Sequence, residues 1–250
     1  MPHTDPSSSP LTFERRIIEL KHRLEHEAKQ ALAMLESALA SLWNLDREGA
    51  KLVRAADDNV DREEVAIERE SFEILTLQHV FARDFRMVTF IIKVNADIER
   101  MADHASSVAK ITSRISKQLP PGVIPRWPTC LRELGDRVTI ACHNTLRALV
   151  NEDVAAARDV AASDQLIDEL ERRLFDESIE LMKSEGKTET AMAVGLLVSR
   201  VGRELERIGD LMKNIAEDLI YLSTGDIVRH AEKPAKLPVA TPPAAPGDQA

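Results

Sequence analysis

The chain repeats itself at one fixed distance. Glu99, Arg100 and Asp103 recur as Glu206, Arg207 and Asp210, and 206 less 99 and 210 less 103 both give 107. Sliding the sequence by that offset finds further partners with no gap: Leu24/Leu131, Leu39/Leu146, Leu42/Leu149, Asn44/Asn151, Asp46/Asp153, Val53/Val160, Asp57/Asp164, Asp61/Asp168, Glu70/Glu177, Ser71/Ser178, Glu73/Glu180, Val94/Val201 and Ala109/Ala216. Self-similarity at a single period is the mark of a tandem duplication, so the chain must build one supersecondary unit twice. Apolar positions also pair where identity fails, as in Val60/Ile167, Ile67/Leu174, Ile98/Leu205 and Val108/Ile215. Both copies are therefore expected to bury the same faces.

Each copy reads as three helices. From Val194 through Val198, Val201, Leu205, Ile208, Met212, Ile215 and Leu219 to Leu222 the apolar positions alternate spacings of three and four, the stripe of a long helix in a bundle. That helix is expected over about Thr188 to Leu222. Its predecessor begins near Asn151-Glu152-Asp153, whose acidic residues suit a helix N-terminus, and stops at "KSEGKTE", where Gly186 can end one helix and Thr188 cap the next. The break "LPPGVIPRWP" marks the seam between copies. The first copy then holds helices near 11–43, 46–77 and 81–118. With 9 Gly in 250 residues and 44% hydrophobic content, the fold class is all-α: two tandem three-helix bundles. The expected organisation is a disordered tail at 1–9, a first repeat at 10–118, a linker at 119–127, a second repeat at 128–230 and a disordered Pro/Ala-rich tail at 231–250. Cys130 and Cys142 stand twelve apart in one predicted helix, a rise of about 18 Å, so they are expected as reduced core residues.

The acidic residues can be placed by the same logic. Antiparallel helices rise equally from their turn, and both the pair Asp168/Glu206 and the pair Asp164/Asp210 are centred on residue 187, inside the expected reversal. Asp168 should therefore face Glu206, and Asp164 should face Asp210. In the first copy Asp57/Asp61 and Glu99/Asp103 centre on residue 80, within "QHVFARD", where the turn signal is weaker. Residues just off an apolar stripe ordinarily form a solvated helix face. Yet like charges four apart oppose a helix by about 0.2–0.5 kcal/mol per pair, and here such pairs converge twice. A cation would turn that cost into attraction. All-oxygen clusters suit hard ions such as Mg²⁺, Ca²⁺ and Mn²⁺, or iron, and the lack of Cys or duplicated His argues against a structural zinc site. His104, matched by Leu211, is read as incidental.

The motifs "DDNVD" with "SDQLID", "DIERMADHA" with "ELERIGDLMKNIA", and "ARDFR" at 82–86 give the span from about 11 to 230 a resemblance to the PhoU family, the accessory proteins of the high-affinity phosphate importer. That resemblance implies metal binding at Asp57, Asp61, Glu99, Asp103, Asp164, Asp168, Glu206 and Asp210, with divalent or ferric ions (Mg, Mn, Fe or Zn) as the cofactors. It also implies a cytoplasmic adaptor, commonly a homodimer. Such an adaptor restrains phosphate uptake and the phosphate-starvation response through two partners, the ATPase subunit of the phosphate ABC importer and a phosphate sensor histidine kinase. Two departures fall in the first copy: Ser107 stands where relatives often carry Asn, as Asn214 does in the second copy, and Val80 where they often carry Pro. Weaker or different metal binding is expected there.

Other function classes are disfavoured. A net charge of -9 leaves no basic stripe for nucleic acid, and no apolar run approaches the roughly 20 residues of a transmembrane helix. The start "MPHTDPSSSPLTFERR" lacks the regions of a secretory signal, which makes the cytoplasm the expected compartment. No Gly-rich phosphate loop or Gly-x-Ser-x-Gly elbow is present, so no enzyme activity is expected. One alternative is a carboxylate-bridged dimetal enzyme, but its Glu-x-x-His signature occurs only as the unrepeated Glu19/His22. The other is a metal-free helical scaffold.

Overall fold

A computed structural model describes residues 10–77, 82–184 and 188–225. The expected tails at 1–9 and 231–250, the turn residue Gly186 and the departure at Val80 lie outside the described residues. Six helices account for nearly all of the rest: α1 Pro10–Asn44, α2 Arg47–Leu77, α3 Ala82–Gln118, α4 Thr129–Asn151, α5 Val154–Ser184 and α6 Glu189–Thr224. The described residues contain no strand. The ends of α1 and α4, both ends of α2 and α5, and the starts of α3 and α6 each differ by the same 107 positions as the sequence repeat.

The interhelical turns repeat too. Leu45 and Glu152, equivalent positions, both adopt the left-handed conformation with φ of 50°. Beyond them the Asp46 amide donates to the Ser41 carbonyl and the Asp153 amide to the Ala148 carbonyl, each at 2.9 Å. Each Asp then opens the next helix: Asp46 Oδ1 accepts from the Glu48 amide, and Asp153 Oδ1 from the amides of Ala155 and Ala156. These side chains satisfy amide donors that a helix start leaves free. Thr188 caps α6 as its sequence suggests, accepting from the Ala191 amide at 3.2 Å.

The two bundles are fused along α3 and α6. His104 of α3 meets Glu204 of α6, while Lys93 meets Asp218, so rising numbers on one helix face falling numbers on the other and the pair is antiparallel. On α1 and α4 the equivalent residues Glu36 and His143 hydrogen-bond to each other at 2.8 Å, which places them beside a local two-fold relation between the copies. The apolar side chains of both repeats form one continuous buried cluster, from Leu20 and Leu35 in α1 to Leu205 and Ile215 in α6. The proline-rich seam is pinned rather than free. Trp127 stacks edge-on to Trp43 with ring centroids 6.0 Å apart and donates its indole N–H to the Trp43 carbonyl, and the Arg132 guanidinium covers Trp43. Cys130 and Cys142 are buried and unbridged on α4, as expected. Burial pushes the Cys130 thiol up to about 11, which keeps it unreactive.

One difference between the copies falls at the contact of their second and third helices. In repeat two Gly202 lets α5 approach α6 so closely that a Cβ there would lie 2.4 Å from Leu174 Cδ2. Its counterpart in repeat one is Asn95, which is buried and donates its amide to the Glu64 carbonyl at 3.0 Å.

Candidate metal centres

Each acidic cluster is assembled from the second and third helices of its repeat, where paired apolar stripes hold the helices in register and leave the carboxylates at the edge of the core. In repeat two, oxygens of Asp164 and Asp168 from α5 and Asp210 from α6 all lie within 4.8 Å of one another. Asp164 is buried, Asp168 half-buried and Asp210 exposed. Asp164 faces Asp210 as the turn arithmetic requires. Burial raises the Asp210 pKa, and the charges of Asp164 and Asp168 add to it. Glu206 lies at the flank. Burial raises its pKa first, then Asp210, Glu171 and Asp168.

In repeat one the four residues occupy the corresponding place near enough to feel one another's charge, but among the described residues three oxygens come within 4.8 Å of one another only in repeat two. Burial raises the Asp57 pKa against the opposing effect of the Ser106 hydroxyl, with Asp103 and Asp61 next. Burial likewise raises Glu99, followed by Asp103, Glu64 and Asp61. Each set therefore surrounds its members with like charge in partly desolvated positions, an arrangement that favours protonation or a cation.

The two equivalent aspartates share a further property. Asp57 Oδ1 and Asp164 Oδ1 are both buried without a hydrogen-bond partner. A buried carboxylate oxygen left unsatisfied is costly, and a hard cation would satisfy it. The donor set fits such an ion: oxygen ligands only, from rigid helices. His104 takes no part in either cluster, since its Nδ1–H donates to Glu204 at 2.8 Å.

Sequence reasoning missed three features. Glu64 and Glu171, themselves 107 apart, join the clusters, and their identity at the repeat offset was a usable signal. Lys213 reaches into the second cluster, where its ammonium donates to Asp164 Oδ2. The equivalent place in repeat one holds Ser106, so it is the second site that carries a built-in cation. Glu27 of α1, finally, is fully buried with neither oxygen paired. Burial, then Glu63, Glu64 and Glu99, push its carboxyl up to about 9.

Fold and site together define a duplicated six-helix protein with an all-oxygen acidic cluster at the same place in each copy. The PhoU domain family matches residues 24–112 and 131–219, bounds that are again 107 apart, and the chain belongs to that family. It is 34% identical over 173 residues, 69% of this chain and 78% of the relative, to the phosphate-specific transport system accessory protein PhoU homolog of Deinococcus radiodurans. The solved structure of PhoU from Pseudomonas aeruginosa superposes with a TM-score of 0.80 at 28% identity, covering 86% of this chain and 100% of that one. The phosphate transport system regulatory protein PhoU from Streptococcus pneumoniae gives a TM-score of 0.76 at 28% identity, covering 86% and 99%. None of the described helices is long and apolar enough to cross a membrane.

Proposed function

We propose that this chain is a non-catalytic accessory protein of a phosphate transport system. In this reading it is a cytoplasmic metal-binding adaptor, acting as a homodimer, that restrains phosphate uptake and the starvation response. It couples the ATPase subunit of the importer to a sensor histidine kinase. Its relatives' names support the phosphate system, and the orphaned oxygens of Asp57 and Asp164 support the metal. Asp57, Asp61, Glu99 and Asp103 hold one site, and Asp164, Asp168, Glu206 and Asp210 the other. When bound, a divalent or ferric ion supplies positive charge on an otherwise acidic surface, giving partners a contact that depends on occupancy. The carboxylates at the rim, Asp61, Asp103 and Asp210, are exposed and open to such a partner.

Cells lacking the protein should express phosphate-scavenging genes and accumulate phosphate in rich medium. A variant with Glu99, Asp103, Glu206 and Asp210 all changed to Ala, folded and expressed, should restore repression poorly, since those changes leave the apolar stripes intact. Full repression by that variant across phosphate levels would show the clusters to be solvated decoration. A normal response in cells without the protein would overturn the phosphate reading itself.

A further inference from the structure

The two ends of the fused bundle are finished differently. At one end the seam that follows α3 carries Trp127 onto Trp43, and the Arg132 guanidinium lies over the same Trp43 ring, 4.6 Å from its centroid. Leu119, at the start of that seam, and Trp127 both pack against the buried cluster. The residues 107 positions from Trp43 and Arg132 are Val150 and Glu25. At the opposite end these two line a cleft of about 260 Å³, walled by Ile18 of α1, Phe90 of α3, Leu149 of α4 and Leu222 of α6. The local two-fold that exchanges α1 with α4 and α3 with α6 carries one place onto the other.

Valine in place of tryptophan removes the ring that fills the equivalent space. The apolar walls are accordingly exposed, Ile18 by 53% and Val150 by 47%, whereas a packed interior leaves few voids larger than a water molecule. Helix α1 supplies only part of a cover. It continues as helix through the positions equivalent to the seam, and its Lys21 pairs with Glu152 of α4 at 2.6 Å, so that it forms a wall of the cleft and not a plug.

The chain that leaves the bundle at this end is the one that follows α6. Helix α3 ends at Gln118 and α6 at Thr224, one residue short of the equivalent position. Gly225 then adopts the left-handed conformation, with φ of 79°, and its amide donates to the Tyr221 carbonyl at 2.8 Å, which turns the chain off the helix axis. The sequence goes on as Asp226-Ile227-Val228-Arg229-His230. Residues 226–250 lie outside the described residues. Trp127 is nine positions past Gln118, while Ile227 and Val228 are two and three past Gly225, so they need far less reach than the seam spans. An aliphatic pair followed by Arg229 and His230 also suits an apolar cleft with Glu25 and Glu152 on its lining.

We infer that residues 226–230 dock in this cleft, with Ile227 and Val228 on its apolar walls and Arg229 against its two carboxylates. The chain after α6 then closes its end of the bundle as the seam after α3 closes the other. The inference depends neither on the metal sites nor on the phosphate reading.

The test is hydrogen exchange of the full chain, read by mass spectrometry. Amides of 227–230 should exchange about tenfold more slowly than those of 241–250 in the same molecules. Ile18→Asp with Val150→Asp, at positions that are already half exposed, should abolish that protection while the helical circular dichroism stays parental. From the other side, Ile227→Asp with Val228→Asp should uncover the cleft and raise the fluorescence of anilinonaphthalene sulfonate above that of the parent. Exchange of 227–230 as fast as 241–250 in the parent would overturn the inference, and so would protection that survives in the folded cleft variant. Protection that falls on dilution would give the cleft to a second copy of the chain instead. Release of a small apolar molecule from the denatured parent, with dye fluorescence unchanged in the Ile227 and Val228 variant, would give it to a ligand and overturn the inference likewise.

Discussion

The two acidic clusters stand on equivalent helices, 107 positions apart, each with an orphaned aspartate oxygen, yet they meet their excess charge differently. Repeat two places Lys213 against Asp164 and closes its interior with Leu134 and Gly202. Repeat one has Ser106 in place of the lysine and adds Glu27 and Asn95 behind the cluster. One copy carries part of its counter-charge on its own chain, and the other has a hydroxyl at that position. The sequence departures at Ser107 and Val80 point to a weaker first site, and among the described residues three carboxylate oxygens come within 4.8 Å of one another only in repeat two.

Removing carboxylates from one copy at a time has the largest expected effect on this contrast. Glu206→Ala with Asp210→Ala should abolish calorimetric binding at repeat two while leaving repeat one unchanged, and unaltered stoichiometry would sink the assignment of these ligands. Next comes Lys213→Ser, which gives repeat two the residue of repeat one. Lys213 is partly exposed while Asp164 is buried, so losing the pair should cost about 1–2 kcal/mol, and the chelator-treated variant should melt below the parent. Its affinity for Mn²⁺ at repeat two should rise about tenfold, equivalent to about 1.4 kcal/mol. A fall in affinity would mean that the lysine organises the site instead of competing for it.

Gly202→Ala probes the tight α5/α6 contact and should destabilise the protein by about 1–3 kcal/mol, since Leu174 must move aside. Alanine at Asn95 should not produce that overpacking. The smallest effect belongs to the seam between copies. The hydrogen bond from His104 holds the Glu204 carboxyl below its ordinary 4.5 against the opposing effect of burial, and the charges of His104 and Arg200 help. A group with a lowered folded pKa contributes stability that is complete above its unfolded value and is lost as pH falls through the folded one. His104→Leu, the residue found at 211, should therefore cost about 1 kcal/mol near neutral pH and progressively less below pH 4.5, as read from denaturation midpoints.

Helix boundaries were legible because two independent signals agreed, the apolar period and the repeat offset. The expected end of α2 at residue 77 and the cap at Thr188 both match the structure. The placing of the eight acidic residues on facing helices was legible for the same reason, since each had a partner 107 positions away; that, among the described residues, Asp164, Asp168 and Asp210 alone draw within 4.8 Å of one another was not. Glu27, Asn95 and Lys213 had none, and repeat reasoning cannot see a residue that one copy lacks. Periodicity did not help either. Lys213 follows Asp210 by three and reads as part of a solvated face, while its pairing with Asp164 needs the neighbouring helix. The contact of α3 with α6, and with it the partner of His104, depends on how two amphipathic bundles share an apolar face, which sequence spacing within either one does not specify.

The pinned seam at Trp127 has a genetic consequence. Two separate copies of a single three-helix unit, encoded by one gene, would carry every substitution in both halves at once. A lysine acquired at one site would appear at the other. Joining the copies in one reading frame, with Trp127 held against Trp43, lets each half accumulate its own changes while the pairing of the halves is inherited intact. Glu27 opposite Leu134, and Ser106 opposite Lys213, are differences that a homodimer of one-repeat chains could not hold.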